Sequence, residues 1–245
     1  MRLFTIALLA VAPAAAQYCK PPDFQGAYGF QLSGTTTISG DPKSAVSVGR
    51  IEFDGNGSIN GSSSVNFAGY FLGNPVTGQY ELSNDCTLNW TLQDDSGLLH
   101  HFTGKLTSDL QRANFQQTDQ GAPANGTLAR VAQQCEMPAL QGSYNVAISG
   151  SAIPMQPGDT PHQVEFHGMM TIDQDGNVAL MQGAEKIQAG SAGIDSECIL
   201  DMRLMLYPDQ VTLRGVLVDH GQEILAMDTA PGTSVRARLL RQREP

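Results

Sequence analysis

A short run near the start of the chain returns about half-way along it, and this duplication limits the possible folds more than any other feature. The run FQGAY at residues 24–28 reappears as LQGSY at residues 140–144. Each copy follows a cysteine by the same interval, Cys19 in one case and Cys135 in the other, and each leads to a Ser-Gly pair. Self-similarity of this length indicates one structural unit used twice. We therefore expect two similar domains, residues 17–134 and 135–245.

The first sixteen residues have the pattern of a secretory signal peptide. Arg2 precedes an apolar run at residues 3–11, and three alanines at residues 14–16 supply a small-residue cleavage site. No later apolar run approaches the roughly 18 residues of a membrane span. We predict a secreted chain with no membrane span.

Acidic side chains outnumber basic ones. The chain has 14 Lys and Arg against 24 Asp and Glu, for a formal net charge of −10. This balance argues against binding to nucleic acid or to an anionic membrane. The local exception is a group of C-terminal arginines, predicted to lie on a frayed end with no specific role: Arg236, Arg238, Arg241 and Arg243.

The four cysteines of a secreted chain predict two disulfides, for which three connectivities exist. The repeat selects one of them, because equivalent halves should close equivalent loops. We predict that Cys19 pairs with Cys86 and that Cys135 pairs with Cys198. Each bond closes a long loop and would contribute about 4 kcal/mol in the chain-entropy model.

Four Asn-x-Ser/Thr sequons lie in the first repeat and predict N-glycosylation in a eukaryotic secretory route. The four acceptor residues are Asn56, Asn60, Asn89 and Asn125.

Strand signals dominate both repeats, as short alternating runs rich in β-branched and aromatic residues and broken by Gly, Asn and Asp. Each half has about eight such runs. The first set is predicted near residues 27–34, 46–54, 58–67, 78–83, 86–94, 98–107, 112–118 and 125–132. The second set is predicted near residues 143–150, 164–173, 177–184, 187–194, 198–207, 210–218, 222–228 and 233–240.

Eight antiparallel strands in each half favour an all-β protein of two tandem barrels like those of the calycins and lipocalins. A barrel of this size holds either a packed core or one small-ligand cavity. Two β-sandwiches are the competing architecture.

The alternation along two strands assigns side chains to the barrel interior. If Asn89 faces water, then Trp90 faces inward, and on the next strand Phe102 and His100 do so as well. His100 stands where the second repeat has the aliphatic Val211. This histidine is either a structural residue hydrogen-bonded at the barrel mouth or a proton donor or acceptor inside a ligand cavity. The remaining histidines point elsewhere, so we predict no metal site.

Aromatic side chains also distinguish the two halves. Residues 17–134 hold seven Phe, four Tyr and the single Trp, whereas eight of the nine Met lie in the second half. The aromatics form either an ordinary core or the walls of a cavity for a flat apolar ligand. The connection at residues 68–77 is predicted to be a loop that caps such a cavity or is anchored by its own apolar residues.

Sequence motifs for common enzyme chemistries are missing. The chain has no Gly-x-Ser-x-Gly elbow, no His-Glu-x-x-His motif and no dinucleotide or phosphate-binding glycine loop. We expect no cofactor, so any catalysis would rely on proximity, shape and a few hydrogen bonds.

The two-repeat layout, the four cysteines and the Gln-Gly-x-Tyr openings resemble the fungal hetero-Diels-Alderases of tropolone sesquiterpenoid pathways. The resemblance covers the mature chain. It implies a cofactor-free cycloaddition of a tropolone-derived quinone methide to a humulene-type alkene. No catalytic signature carries over residue by residue.

In that hypothesis His100 assists dehydration or hydrogen-bonds the tropolone oxygen. The substrate-binding candidates are Trp90, Phe102, Tyr80, Tyr28 and Phe53. Two alternatives remain open: a lipocalin-like carrier of a hydrophobic or conjugated small molecule, and a structural cell-surface protein with packed barrels.

Overall fold

The computed structural model describes residues 19–38, 41–67, 70–95, 97–121, 123–152, 162–183, 185–206 and 209–242. The predicted signal peptide, residues 1–16, lies outside the described residues. Within them, two closed antiparallel barrels follow one another along the chain. This confirms the predicted barrels and excludes the sandwiches.

Barrel one contains eight strands in a simple meander, each paired with its neighbours in sequence, and the pairing of the first with the eighth closes the sheet. A turn of 3₁₀-helix, Pro21–Asp23, precedes them. The strands are β1 (Gly26–Ile38), β2 (Asp41–Phe53), β3 (Ser58–Phe67), β4 (Tyr70–Leu82), β5 (Thr87–Asp94), β6 (Leu99–Leu106), β7 (Arg112–Gln117) and β8 (Ala124–Arg130).

Barrel two repeats this order after the one-turn helix α1 (Met137–Leu140), and its first strand pairs with its last. A second 3₁₀ turn, Asp219–Gly221, lies between its sixth and seventh strands. The strands are β9 (Gly142–Ala152), β10 (His162–Ile172), β11 (Asn177–Gln182), β12 (Glu185–Ile194), β13 (Ile199–Leu206), β14 (Asp209–Val218), β15 (Glu223–Asp228) and β16 (Thr233–Arg241).

The two disulfides have the predicted pairing. Cys19 bonds Cys86 and Cys135 bonds Cys198, with sequence separations of 67 and 63 residues. Cys86 and Cys198 both have positive φ, 68° and 63°, so the same turn conformation recurs in each barrel. The duplication therefore extends to the backbone conformation at the disulfides.

The repeated tyrosines occupy equivalent buried positions and make equivalent bonds. The Tyr28 hydroxyl donates to the Leu110 carbonyl at 2.6 Å and accepts from Arg130 Nη2 at 2.9 Å. In barrel two, the Tyr144 hydroxyl donates to the Leu140 carbonyl at 2.6 Å and accepts from Arg241 Nη2 at 2.7 Å.

Each arginine also lies over the ring of its tyrosine, with 4.9 Å from Arg130 Cζ to the Tyr28 centroid and 5.3 Å from Arg241 Cζ to the Tyr144 centroid. The prediction of a frayed C-terminus with idle arginines is wrong for Arg236, Arg238 and Arg241, because all three lie on β16, which closes barrel two. Arg236 bonds Ser33 and Ser149, Arg238 bonds Glu223 and Arg241 bonds Tyr144. Arg243 lies outside the described residues.

The barrels contact each other through one apolar patch and several buried polar side chains. The patch comprises Val46, Val48, Ala129, Ile199, Val216, Val218, Leu225 and Met227. Gly29 allows this close approach, since a Cβ there would lie 2.6 Å from a methyl of Val218.

One buried carboxylate joins the barrels electrostatically. Glu223 of barrel two is 1% exposed. It accepts a hydrogen bond at 2.6 Å from Arg112 of barrel one and a second from Arg238 of its own barrel. Two guanidinium groups thus offset the cost of burying this charge.

Candidate functional site

The open end of barrel one encloses a cavity of about 450 Å³, bounded by the ends of β1, β3, β5 and β7 and the starts of β2, β4, β6 and β8. The opposite end is filled by side chains beside the Cys19–Cys86 disulfide. The lining is mainly apolar with a few polar groups, as is usual for small-molecule sites. It comprises Phe30, Leu32, Thr35, Ala45, Val46, Ser47, Ser63, Val65, Phe67, Leu72, Asn74, Val76, Leu92, Asp94, Leu98, His100, Phe102, Gln117 and Ala124.

Small inward-facing residues on β2 and β3 leave this space. Ser47 pairs with Leu32, and the equivalent pair in barrel two is Phe166 with Ile148. Thus a phenylalanine in barrel two stands where barrel one has a serine.

The Phe166 ring packs against the apolar core of barrel two. A larger side chain in the second barrel therefore occupies volume that is open beside Ser47 in the first.

Three of the predicted ligand-contacting aromatics lie away from the cavity. Tyr28, Phe53 and Tyr80 are at most 7% exposed and pack with Phe24 at the filled end, with centroid separations of 4.5 to 5.6 Å. The Tyr80 hydroxyl donates to the Phe24 carbonyl at 3.2 Å. None of these side chains belongs to the cavity lining. They belong to the packed core of barrel one instead.

The other two predicted aromatics lie nearer the open end. The Phe102 ring lines the cavity and stacks on the Trp90 ring at a centroid distance of 5.3 Å and an interplanar angle of 22°. Trp90 is 4% exposed, lies outside the lining and also contacts Phe115 at 4.9 Å. Phe102 is therefore the aromatic wall, and Trp90 supports it from behind.

His100 lies at the mouth of the cavity, on β6, with its side chain 35% exposed. Gln117 Nε2, on the neighbouring β7, lies 2.9 Å from Asp119 Oδ2 and 3.3 Å from His100 Nδ1. The carboxylate can only accept, so this atom of Gln117 is the donor nitrogen. In the tautomer in which His100 Nδ1 accepts from the same nitrogen, the imidazole carries its proton on Nε2.

Asp119 is held in place behind this pair. The carboxylate accepts from the His101 backbone amide at 2.9 Å and contacts His101 Nδ1 at 2.7 Å. Partial burial raises the pKa of Asp119. Hydrogen bonds from the His101 amide, Gln117 and the His101 ring outweigh this and hold the pKa below its ordinary value. The group is therefore ionised at neutral pH.

Exposed apolar side chains surround the mouth. Tyr70, Leu72 and Leu98 are 67%, 43% and 59% exposed. The predicted loop at residues 68–77 is wrong for most of its length, because β4 begins at Tyr70. Residues 68 and 69 lie outside the described residues. The apolar residues of this segment therefore stand on a strand at the rim instead of on a loop over it.

The four predicted glycosylation acceptors are all exposed on barrel one: Asn56, Asn60, Asn89 and Asn125. Asn56 lies in the β2–β3 turn, and the others lie on strands. This placement leaves each sequon accessible.

Two further structural properties concern the described residues alone. No group of three or more His, Cys, Asp or Glu side chains among them is arranged to hold a metal ion. No helix in this part of the chain combines the length and apolarity needed to cross a membrane.

Sequence reasoning identified His100 and Phe102 but missed Gln117, Asp119 and the small residues that create the space. Aligning the inward positions of the two repeats would have exposed the contrast between Ser47 and Phe166. The bond from Gln117 to His100 has no comparable signal, because it depends on the register between β6 and β7.

Comparison with known proteins gives no family. No protein-family model matches the chain, and no curated protein matches it. The transferrin-binding protein B of serogroup B Neisseria meningitidis aligns with a TM-score of 0.34 and 7% identity, covering 90% of this chain and 76% of that one. A mutant of transferrin-binding protein B from Haemophilus parasuis aligns with a TM-score of 0.30 and 9% identity, covering 90% of this chain and 76% of that one. A porin-like protein of Bacteroides uniformis aligns with a TM-score of 0.20 and 9% identity, covering 94% of this chain and 100% of that one. At these TM-scores the alignments carry no argument about this protein.

Proposed function

We propose that barrel one binds a hydrophobic, conjugated small molecule at its open end and promotes a cofactor-free hetero-Diels-Alder cycloaddition there. The observation that carries the binding proposal is the cavity of about 450 Å³ with its largely apolar lining. Specific ligand sites commonly measure about 300 to 1,000 Å³ and place few polar groups among apolar ones.

The catalytic part of the proposal depends on His100 and Phe102. The Phe102 ring, backed by Trp90, offers a flat wall for a conjugated diene. In the tautomer in which its Nδ1 accepts from Gln117, His100 offers an Nε2–H donor at the cavity mouth. Holding two reactants side by side in a dry site can lower the barrier by about 7 to 11 kcal/mol.

The proposed chemistry balances without a cofactor. The hydroxymethyl C–O bond of the tropolone breaks, and the hydroxyl leaves as water with the proton of the ring hydroxyl. The quinone methide oxygen and its exocyclic carbon then each form one bond to an alkene carbon of the humulene-type partner. His100 would donate to the departing hydroxyl or to the tropolone oxygen, an effect usually worth about 10²-fold or more.

A carrier without catalysis is the second candidate, and the exposed apolar rim at Leu72 and Leu98 favours it. Such a rim would let a hydrophobic molecule enter and leave without a chemical step. The two candidates differ in turnover, since a carrier would return the ligand unchanged.

The test is to incubate the purified protein with a hydroxymethyl tropolone and a humulene-type alkene and to measure the adduct and its stereochemistry by mass spectrometry and chiral separation. The catalytic proposal predicts adduct formation well above the protein-free rate, with one stereoisomer in excess. His100→Val, which introduces the residue found in barrel two, should lower turnover and leave the unfolding midpoint unchanged. An adduct rate equal to the protein-free control would contradict the catalytic proposal, and retention of the unchanged tropolone by the protein would then favour the carrier.

A further inference from the structure

The described lining of the cavity contains an acidic side chain and no lysine or arginine. Asp94 is the one Asp or Glu among these residues. Lys43, two residues before Ala45 on β2, is not part of the lining. A carboxylate entering this space would therefore find no guanidinium or ammonium group among the described residues of the wall.

The second carboxylate lies behind the histidine. Asp119 Oδ2 is 3.9 Å from His100 Nδ1, and Gln117 bridges the two side chains. In the tautomer in which His100 Nδ1 accepts from Gln117, the ring offers one donor, Nε2–H. The site thus combines the Nε2–H donor of His100 with the negative charges of Asp94 and Asp119.

We propose that the cavity selects uncharged ligands that carry a hydrogen-bond acceptor and rejects carboxylate ligands, with Asp94 and Asp119 as the residues that set this preference. The inference rests on the proposed function, since it names the chemical class of the molecule bound at that site. A neutral carbonyl or hydroxyl oxygen accepts from His100 Nε2–H. A carboxylate loses its hydration without gaining a cationic partner, and it is repelled by both aspartates.

Methyl retinoate and retinoate provide the test, because they share one conjugated apolar skeleton and differ in charge. Both are titrated into the full mature protein at neutral pH and followed by isothermal calorimetry. We expect methyl retinoate to bind at least about tenfold more tightly than retinoate. Asp94→Asn and Asp119→Asn should each narrow that ratio by strengthening retinoate binding.

A matched control removes a charge elsewhere. Asp201 lies on the outer face of barrel two, and its side chain is 71% exposed. The Asp201→Asn variant should leave the ratio of ester affinity to retinoate affinity unchanged. A gain-of-function variant, Leu72→Arg, places a guanidinium on the lining and should raise retinoate affinity above that of the ester.

The outcomes separate the two proposals. Equal binding of both probes, or tighter binding of retinoate, overturns the selectivity while the binding proposal stands. Absence of binding by both probes and by the Leu72→Arg variant contradicts the proposed ligand site itself, and the selectivity with it. If the protein prefers the ester but Asp94→Asn and Asp119→Asn leave that preference unchanged, these two residues do not set the selectivity.

Discussion

Replacing Tyr28 by phenylalanine removes one oxygen from the filled end of barrel one. That oxygen donates to the Leu110 carbonyl at 2.6 Å and accepts from Arg130 at 2.9 Å. The tyrosine is fully buried, so little water can replace the lost bonds. We expect Tyr28→Phe to lower the free energy of unfolding by about 1 to 3 kcal/mol at neutral pH.

The same hydroxyl makes stability depend on alkaline pH. Burial raises the pKa of Tyr28 from its ordinary value of 10.0 to about 12, against the opposing effect of Arg130. The folded protein thus keeps a proton that the unfolded chain releases, and this contribution is complete below about pH 10 and is lost as the pH rises toward 12. At about pH 11 the loss amounts to about 1.4 kcal/mol.

Urea unfolding of the wild type and of Tyr28→Phe at about pH 7 and pH 11 measures both effects. The stability advantage of the wild type should shrink by about 1.4 kcal/mol between the two pH values, because the variant lacks the titrating group. Tyr144→Phe is the matched variant in barrel two, where burial also raises the pKa of the tyrosine. A wild-type advantage that stays constant with pH, or is absent at neutral pH, would refute the account of the buried tyrosine.

Three further changes test the cavity, the interface and the disulfides. Ser47→Phe introduces the side chain that fills barrel two and should weaken binding of an apolar probe such as methyl retinoate at least about tenfold by calorimetry, without lowering the unfolding midpoint. Arg112→Ala removes one charge-assisted hydrogen bond to Glu223, which keeps Arg238, and should lower the free energy of unfolding by about 2 kcal/mol. An unchanged midpoint of urea unfolding would contradict the interface role. Paired Cys135→Ser and Cys198→Ser substitutions open a 63-residue loop and should cost about 4 kcal/mol.

Much of the fold was predictable because alternation and turn residues are local signals. All sixteen predicted strands overlap observed ones, and β3 was placed at residues 58–67 as observed. The repeat also selected the correct disulfides. The start of β4 was missed because Gly73, Asn74 and Pro75 are typical of a loop. The sequence cannot show that β3 and β5 would hold this segment as a strand.

The site was predictable only in part. The inward faces of Phe102 and His100 followed from strand alternation. Strand alternation could not show that Tyr28, Phe53 and Tyr80 lie away from the cavity, because the depth of a side chain along a barrel depends on how the strands are staggered. The role of Arg241 likewise required the closure of barrel two, which brings the last strand beside the first.

The central claim is that barrel one, and not barrel two, holds the ligand. Its most direct measurement uses Trp90, the single tryptophan, which stacks on the cavity wall at Phe102. We predict that titration of methyl retinoate quenches Trp90 emission saturably in the wild type, and that Ser47→Phe removes most of this quenching. Calorimetric binding of the ester with Trp90 emission unchanged, or quenching unaffected by Ser47→Phe, would contradict the claim.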